Sequence, residues 1–159
     1  MQTTMTTTSM PVSGAHGRIS WALAILGRVP LSIVQGLFRL AIASVFLKAG
    51  LNKLASWELT VQLFADEYKV PVLPPELAAM LSTGVEIGCS LLLVLGLGTR
   101  LATLPLLGMI AVIQGFVYPG AYAEHLTWAS ILLFLLTRGG GAWSVDRAIG
   151  LEPADPAGR

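Results

Sequence analysis

The chain has 159 residues, 54% of them apolar in the AVILMFWYC set and only 12% Asp, Glu, Lys or Arg, where a soluble domain carries about 25% charged residues. Ten Lys and Arg against nine Asp and Glu leave a net charge of +1, too little to hold a phosphate backbone, so nucleic acid is excluded as a partner. One cysteine, Cys89, excludes an internal disulfide and a thiolate-built zinc or iron–sulfur site, so no metal is expected and redox chemistry would have to come from a bound cofactor or substrate.

Residues 1–17 are rich in Thr and carry too little apolar surface to offset the entropy of ordering, which reads as a disordered tail. Residues 18–28 hold Ile19, Trp21, Leu23, Ile25 and Leu26 between Arg18 and Arg28. That segment is too short to span and has no cleavage signature, so it reads as an interfacial helix and not a signal peptide. The domain proper is expected over residues 29–150, as an all-α transmembrane four-helix bundle, since about 20 apolar helical residues cross a bilayer core.

Its first helix runs from about Leu31, after Pro30, to Leu51. The connection from Asn52 to Glu76 places Trp57, Val61, Phe64 and Tyr68 at helical spacing, with Ser56 as a cap, and predicts an amphipathic helix on the outer surface. Pro71, Pro74 and Pro75 turn the chain into a second span, Leu77 to Leu97, closed by Gly96 and Gly98. The third runs from Leu101 to Tyr118, stopped by Pro119 and Gly120. The fourth and shortest, Ala121 to Thr137, stops at Gly139, Gly140 and Gly141. Residues 151–159 form a short polar tail. Four spans put both termini on one side, with Arg18, Arg28, Arg100, Arg138, Arg147 and Arg159, against Lys53 and Lys69 on the other, so the positive-inside rule makes the termini cytoplasmic.

Arg39 and Glu86 are charges within spans. Counted from a common membrane boundary at 1.5 Å per residue they lie within about one turn in depth, so they are expected to pair inside the bundle. Arg39, Ala43, Phe46, Gly50 and Lys53 line one stripe of the first helix, and Ser82, Glu86, Cys89, Ser90 and Leu93 one stripe of the second. Gly84 and Gly88 form a small-residue seam on nearly the opposite face, suited to helix packing and homo-oligomerisation. Arg39 and Glu86 either fix helix register or serve a binding pocket and proton relay. Lys53 is an interfacial lysine or a ligand group, and His125 beside Glu124 a solvated pair or a site residue. Gln114 and Tyr118 either satisfy each other and the backbone or hydrogen-bond a ligand, and Cys89 reads as a small buried apolar residue.

Arg39 followed by Gly50-Leu51-Asn52-Lys53-Leu54, then Glu86 followed by Leu95-Gly96-Leu97-Gly98-Thr99-Arg100, then Arg138-Gly139-Gly140-Gly141 with Ser144-Val145-Asp146, resembles the DoxX family of small four-helix bacterial membrane proteins. The resemblance covers about residues 31–150, and the set Gln114, Tyr118-Pro119, His125 and Trp128 is similar to one subgroup. It implies a bacterial inner-membrane protein and membrane-associated redox work. Relatives include the quinone-reducing subunit of archaeal thiosulfate oxidation and a mycobacterial member assigned to a membrane oxidoreductase complex.

On that reading the chain is a redox subunit, with a quinone as cofactor and a small sulfur compound as electron donor. Arg39 and Glu86 set the field of a cavity, and Gln114, Tyr118 or His125 hydrogen-bonds a quinone carbonyl. Trp128 or Phe116 packs the ring, Lys53 attracts an anionic donor, and Glu86 and His125 carry protons. The alternative is a cofactor-free scaffold or accessory subunit docking partner proteins through Gly84 and Gly88. A small-solute transporter is weaker, because one four-helix unit offers little alternating-access machinery.

Overall fold

The computed structural model describes residues 19–152 apart from 22, 26 and 28. The tail expected over residues 1–17, most of the polar tail over 151–159, and Arg18, Arg28 and Arg159 lie outside them. Residues 1–30 and residues 31–158 form separate units. In the first, residues 19–21 and 23–25 are helical, with the side chains of Ile19, Trp21, Leu23 and Ile25 exposed.

The second unit is helical throughout, with no strand among the described residues. Helix α1 is Leu31–Ala55. Helix α2 is Trp57–Leu63 and widens into a π turn, Phe64–Tyr68. Helix α3, Pro75–Leu95, starts on a proline, whose missing N–H costs nothing there, and ends on Gly96 at φ 70°. Helix α4, Thr99–Val112, also runs into a π turn, Ile113–Val117. Helix α5 is Tyr122–Arg138 and α6 is the short Val145–Ala148. By length and apolarity Leu31–Ala55, Pro75–Leu95 and Thr99–Val117 can each cross a membrane. Helix α5, at 17 residues, is about 26 Å long at 1.5 Å per residue.

The four long helices pack in a ring, α1 on α3, α3 on α4, α4 on α5 and α5 on α1, so α3 and α5 face each other diagonally. Ile42, Ala43, Phe46, Cys89, Leu93, Ala102, Leu106, Ile110, Leu132 and Leu135 make the core. The opposite faces expose Leu37, Leu40, Leu91, Leu95, Leu101 and Leu133, the surface a bundle offers to lipid. Helix α2 sets Trp57, Val61, Phe64 and Tyr68 against Ala78 and Ala79 at the start of α3, so its apolar stripe covers protein. Ser56 precedes α2 as expected, but its side chain makes no cap bond; its carbonyl accepts from the Thr60 amide and hydroxyl.

One end of the bundle is stapled by the segment after α5. Arg39, 5% exposed, donates from Nη1 to the Gly140 carbonyl at 3.0 Å and from Nη2 to that of Trp143 at 3.4 Å. Gln35 Nε2 donates to the carbonyls of Arg138 and Gly139. Asp146 accepts from the amides of Gly98 and Thr99 at 2.6 and 2.8 Å, capping α4, and its own amide donates to the Gly96 carbonyl. The glycines are required sterically. A Cβ on Gly140 would lie 2.6 Å from Thr99 Oγ1, one on Gly96 would lie 2.7 Å from the Ser144 Cβ, and one on Gly141 would meet Gln35 Oε1 at 2.7 Å.

The expected Arg39–Glu86 pair therefore does not form. The depth count assumed that both helices start at one plane, whereas Gly96, at the end of α3, lies beside Arg39, eight residues into α1. Glu86, ten residues from Gly96, thus sits about 15 Å along the bundle from Arg39. Gly50 lies against it instead: a Cβ there would be 3.1 Å from the Glu86 Cβ and 2.6 Å from Ile87 Cγ1.

Replacing Asp146 by Ala strips two amides at the start of α4 of their acceptor. Thermal unfolding in detergent should show a loss of about 1–2 kcal/mol, the upper range for a lost helix cap; an unchanged midpoint would rule out the capping role.

Candidate functional site

The half of the bundle away from the staple holds a cavity of about 520 Å³, within the range of small-molecule sites. Its walls are mostly apolar, built from α1 (Phe46, Ala49), α3 (Ala78, Val85), α4 (Met109) and its π turn (Ile113), and α5 (Trp128), with Phe64 and Tyr68 of the π turn after α2 closing one side. Phe46 and Trp128 meet edge to face with centroids 5.6 Å apart.

On one wall stands an ion pair. Glu86, 2% exposed, accepts at Oε1 from the Lys53 ammonium, and Lys53 also donates to Ser82 Oγ at 3.0 Å. The three come together because Gly50 lets α1 and α3 approach closely at the level of Glu86 while the lysine stem reaches back along α1. Glu86 Oε2 is buried without a hydrogen-bond partner. In an apolar bundle the carboxylate depends on its ammonium partner, since removing one member of a buried pair leaves an uncompensated charge.

His125, from the diagonal helix, is 4% exposed and lines the same cavity. Its Nδ1 is 2.7 Å from Gln114 Oε1, and Gln114 Nε2 donates to the Pro119 carbonyl at 2.8 Å. Tyr118 lines the α2 end. Its hydroxyl donates to Glu67 at 2.8 Å and its ring meets Tyr68 edge to face at 5.8 Å. The bond to Glu67, with a further one to Tyr68, pushes the Tyr118 phenol well above its ordinary value.

Five of the residues singled out in the sequence, Glu86, His125, Lys53, Tyr118 and Trp128, line this one space. Gln114 supports it from behind, with both amide groups engaged by the protein. Arg39 belongs to the staple, and Phe116, 60% exposed, is not on the cavity wall. Glu67 as the partner of Tyr118 was not anticipated; it is exposed, one residue off the stripe that covers α3, and only the tertiary approach of the two π turns brings it within reach. Cys89 is buried in the core. Gly84 and Gly88 are exposed, with no neighbour within 4 Å of an added Cβ. No cluster of three or more His, Cys, Asp or Glu among the described residues could hold a metal ion.

A helical bundle with three helices apolar enough to cross a bilayer, closed around a cavity with a buried ion pair, is a membrane protein. The DoxX family model matches residues 34–119, more than half of the sequence, and the chain belongs to the DoxX family. The match takes in Arg39, Lys53, Glu86, Gln114 and Tyr118 and stops before His125 and the staple. No curated protein and no solved structure matches the chain.

Lys53→Met should destabilise the bundle by about 3–5 kcal/mol in denaturant unfolding, the cost of an unpaired buried charge, and Lys53→Met with Glu86→Leu should recover most of that loss. A double variant no more stable than the single one would contradict the dependence of Glu86 on Lys53. For Tyr118, folding raises the phenol, so the stabilisation is complete below the ordinary tyrosine pKa of about 10 and is lost as pH climbs through the higher folded value. Phenolate absorbance should show one late-titrating tyrosine that Tyr118→Phe removes and Glu67→Gln shifts to lower pH.

Proposed function

We infer that the chain is a four-span redox subunit of the bacterial inner membrane that binds a quinone in the cavity and couples it to oxidation of a small sulfur compound. The observation that carries this reading is the cavity itself: a space of about 520 Å³ with apolar walls and a buried Lys53–Glu86 pair facing His125 across the bundle. Aromatic side chains flank the space a planar ring would take, and the unpartnered Glu86 Oε2 and the His125 ring fit a group that exchanges protons. A bound quinone supplies a two-electron, two-proton couple.

Within that frame each residue has a defined task. Lys53 donates to Glu86 and offers a positive centre for an anionic sulfur donor. Glu86 and His125 hold and release protons, the roles open to buried carboxyl and imidazole groups in a membrane. Trp128 and Phe46 pack the ring, and Tyr118 with Glu67 ties α4 to α2 at the cavity end. Membrane orientation follows from charge: Arg100, Arg138 and Arg147 gather at the staple end against Lys53 and Lys69 towards the other, so the staple and both termini face the cytoplasm. With both ends so placed, α5 is the fourth span.

A second reading, a cofactor-free accessory subunit for partner proteins, is favoured by the open Gly84 and Gly88 face of α3 and by the structural use of Arg39.

Purified protein in detergent should quench its tryptophan fluorescence on adding a short-tailed ubiquinone and should reduce it when thiosulfate is present. Ala49→Trp, which fills the cavity, should abolish both while leaving the helical content intact. Absence of quinone binding by the wild-type chain would refute the redox reading and leave the accessory one.

A further inference from the structure

The hydrogen-bond chain behind His125 fixes which protons the cavity can offer. A backbone carbonyl only accepts, so the Gln114 group 2.8 Å from the Pro119 oxygen must be the amide NH₂, and the group 2.7 Å from His125 Nδ1 must be the amide oxygen. An amide oxygen has no proton to give, so Nδ1 carries the hydrogen and donates it. In the neutral ring Nε2 is then a bare lone pair, although free imidazole side chains favour the opposite tautomer. His125 is 4% exposed and lines the cavity, and its Nε2 has no hydrogen bond among the described residues. Glu86, lining the same cavity, has a second acceptor without a partner at Oε2, while Tyr118 gives its hydroxyl to Glu67 and Gln114 gives one amide hydrogen to Pro119.

We propose that Gln114 holds His125 as a hydrogen-bond acceptor towards the cavity, so that the site selects the hydroxyl-bearing, reduced form of its quinone and disfavours the carbonyl-bearing, oxidised form. This rests on the quinone reading above and adds to it the redox state that the protein holds best. A hydroquinone O–H points its proton at Nε2, whereas a quinone carbonyl sets lone pair against lone pair in a site with little water to intervene. Gln114 acts here as a positioning residue: it reaches the ligand only through the imidazole. The expected role of Gln114, Tyr118 and His125 as donors to a quinone carbonyl is replaced by this one.

Two measurements on the full chain test it. In ¹⁵N-histidine-labelled protein near neutral pH, with His16→Gln to leave one histidine, the long-range ¹H–¹⁵N spectrum should show His125 protonated at Nδ1 and bare at Nε2. Gln114→Leu should return it to the Nε2-protonated form. In titrations of tryptophan fluorescence, a short-tailed ubiquinol should bind about tenfold more tightly than its quinone, the weight of one buried hydrogen bond. His125→Phe should erase that preference while both forms still bind. An Nε2-protonated or doubly protonated His125 in the wild-type chain, or equal or tighter binding of the quinone, overturns the proposal and leaves the quinone site standing; failure of both forms to bind removes the site and the proposal with it.

Discussion

The guanidinium of Arg39 has five donors and no acceptor, and inside an apolar bundle it must find oxygens. It finds them in the carbonyls of Gly140 and Trp143, on the segment that follows the last long helix. That requirement draws residues 139–146 over the end of the bundle, where Asp146 caps α4 and its amide takes the Gly96 carbonyl. Gly96 is thereby pinned beside Arg39, which sets how far α3 is displaced along α1. From that displacement follow the meeting of Gly50 with Glu86, the reach of Lys53, and the position of the cavity. One cation at one end of the protein thus fixes the chemistry of the other.

The two ends are polar in different senses. At the staple, charged and amide groups bond mainly to backbone atoms and hold geometry. Around the cavity, side chains bond to side chains, Lys53 to Glu86 and Ser82, His125 to Gln114, Tyr118 to Glu67, and the backbone takes little part beyond Pro119. Groups of that second kind remain able to exchange a proton or a partner without unravelling a helix, which is the property a binding site in a membrane needs.

Helix positions were legible in the sequence because the apolar runs, Pro75, Gly96, Pro119 and the Gly139–Gly141 triplet are strong local signals, and the stripe from Arg39 to Lys53 was legible because its residues repeat with the helical period. The spacing of Trp57, Val61, Phe64 and Tyr68 likewise revealed α2. Partner choice was not legible. Counting residues from a shared boundary gives depth only when helices begin together, and α1 starts about 12 Å below the end of α3 at 1.5 Å per residue; that offset moved Glu86 from Arg39 to Lys53. The π turns were hidden for a related reason, since a turn wider by one residue has no composition of its own and shows itself only through the bond it makes five residues back, Lys69 to Phe64 and Tyr118 to Ile113.

Those two turns carry a geometric consequence. Each accommodates one residue more than a regular helical turn, and each is followed or closed by a tyrosine, Tyr68 in one and Tyr118 in the other, whose rings touch. One residue is about 100° of rotation around a helix axis. Without the surplus residue either ring would swing away by roughly a quarter of a circle, and the aromatic contact between α2 and α4 would open. The aromatic contact on this side of the cavity therefore depends on chain length, on one surplus residue in each of two turns.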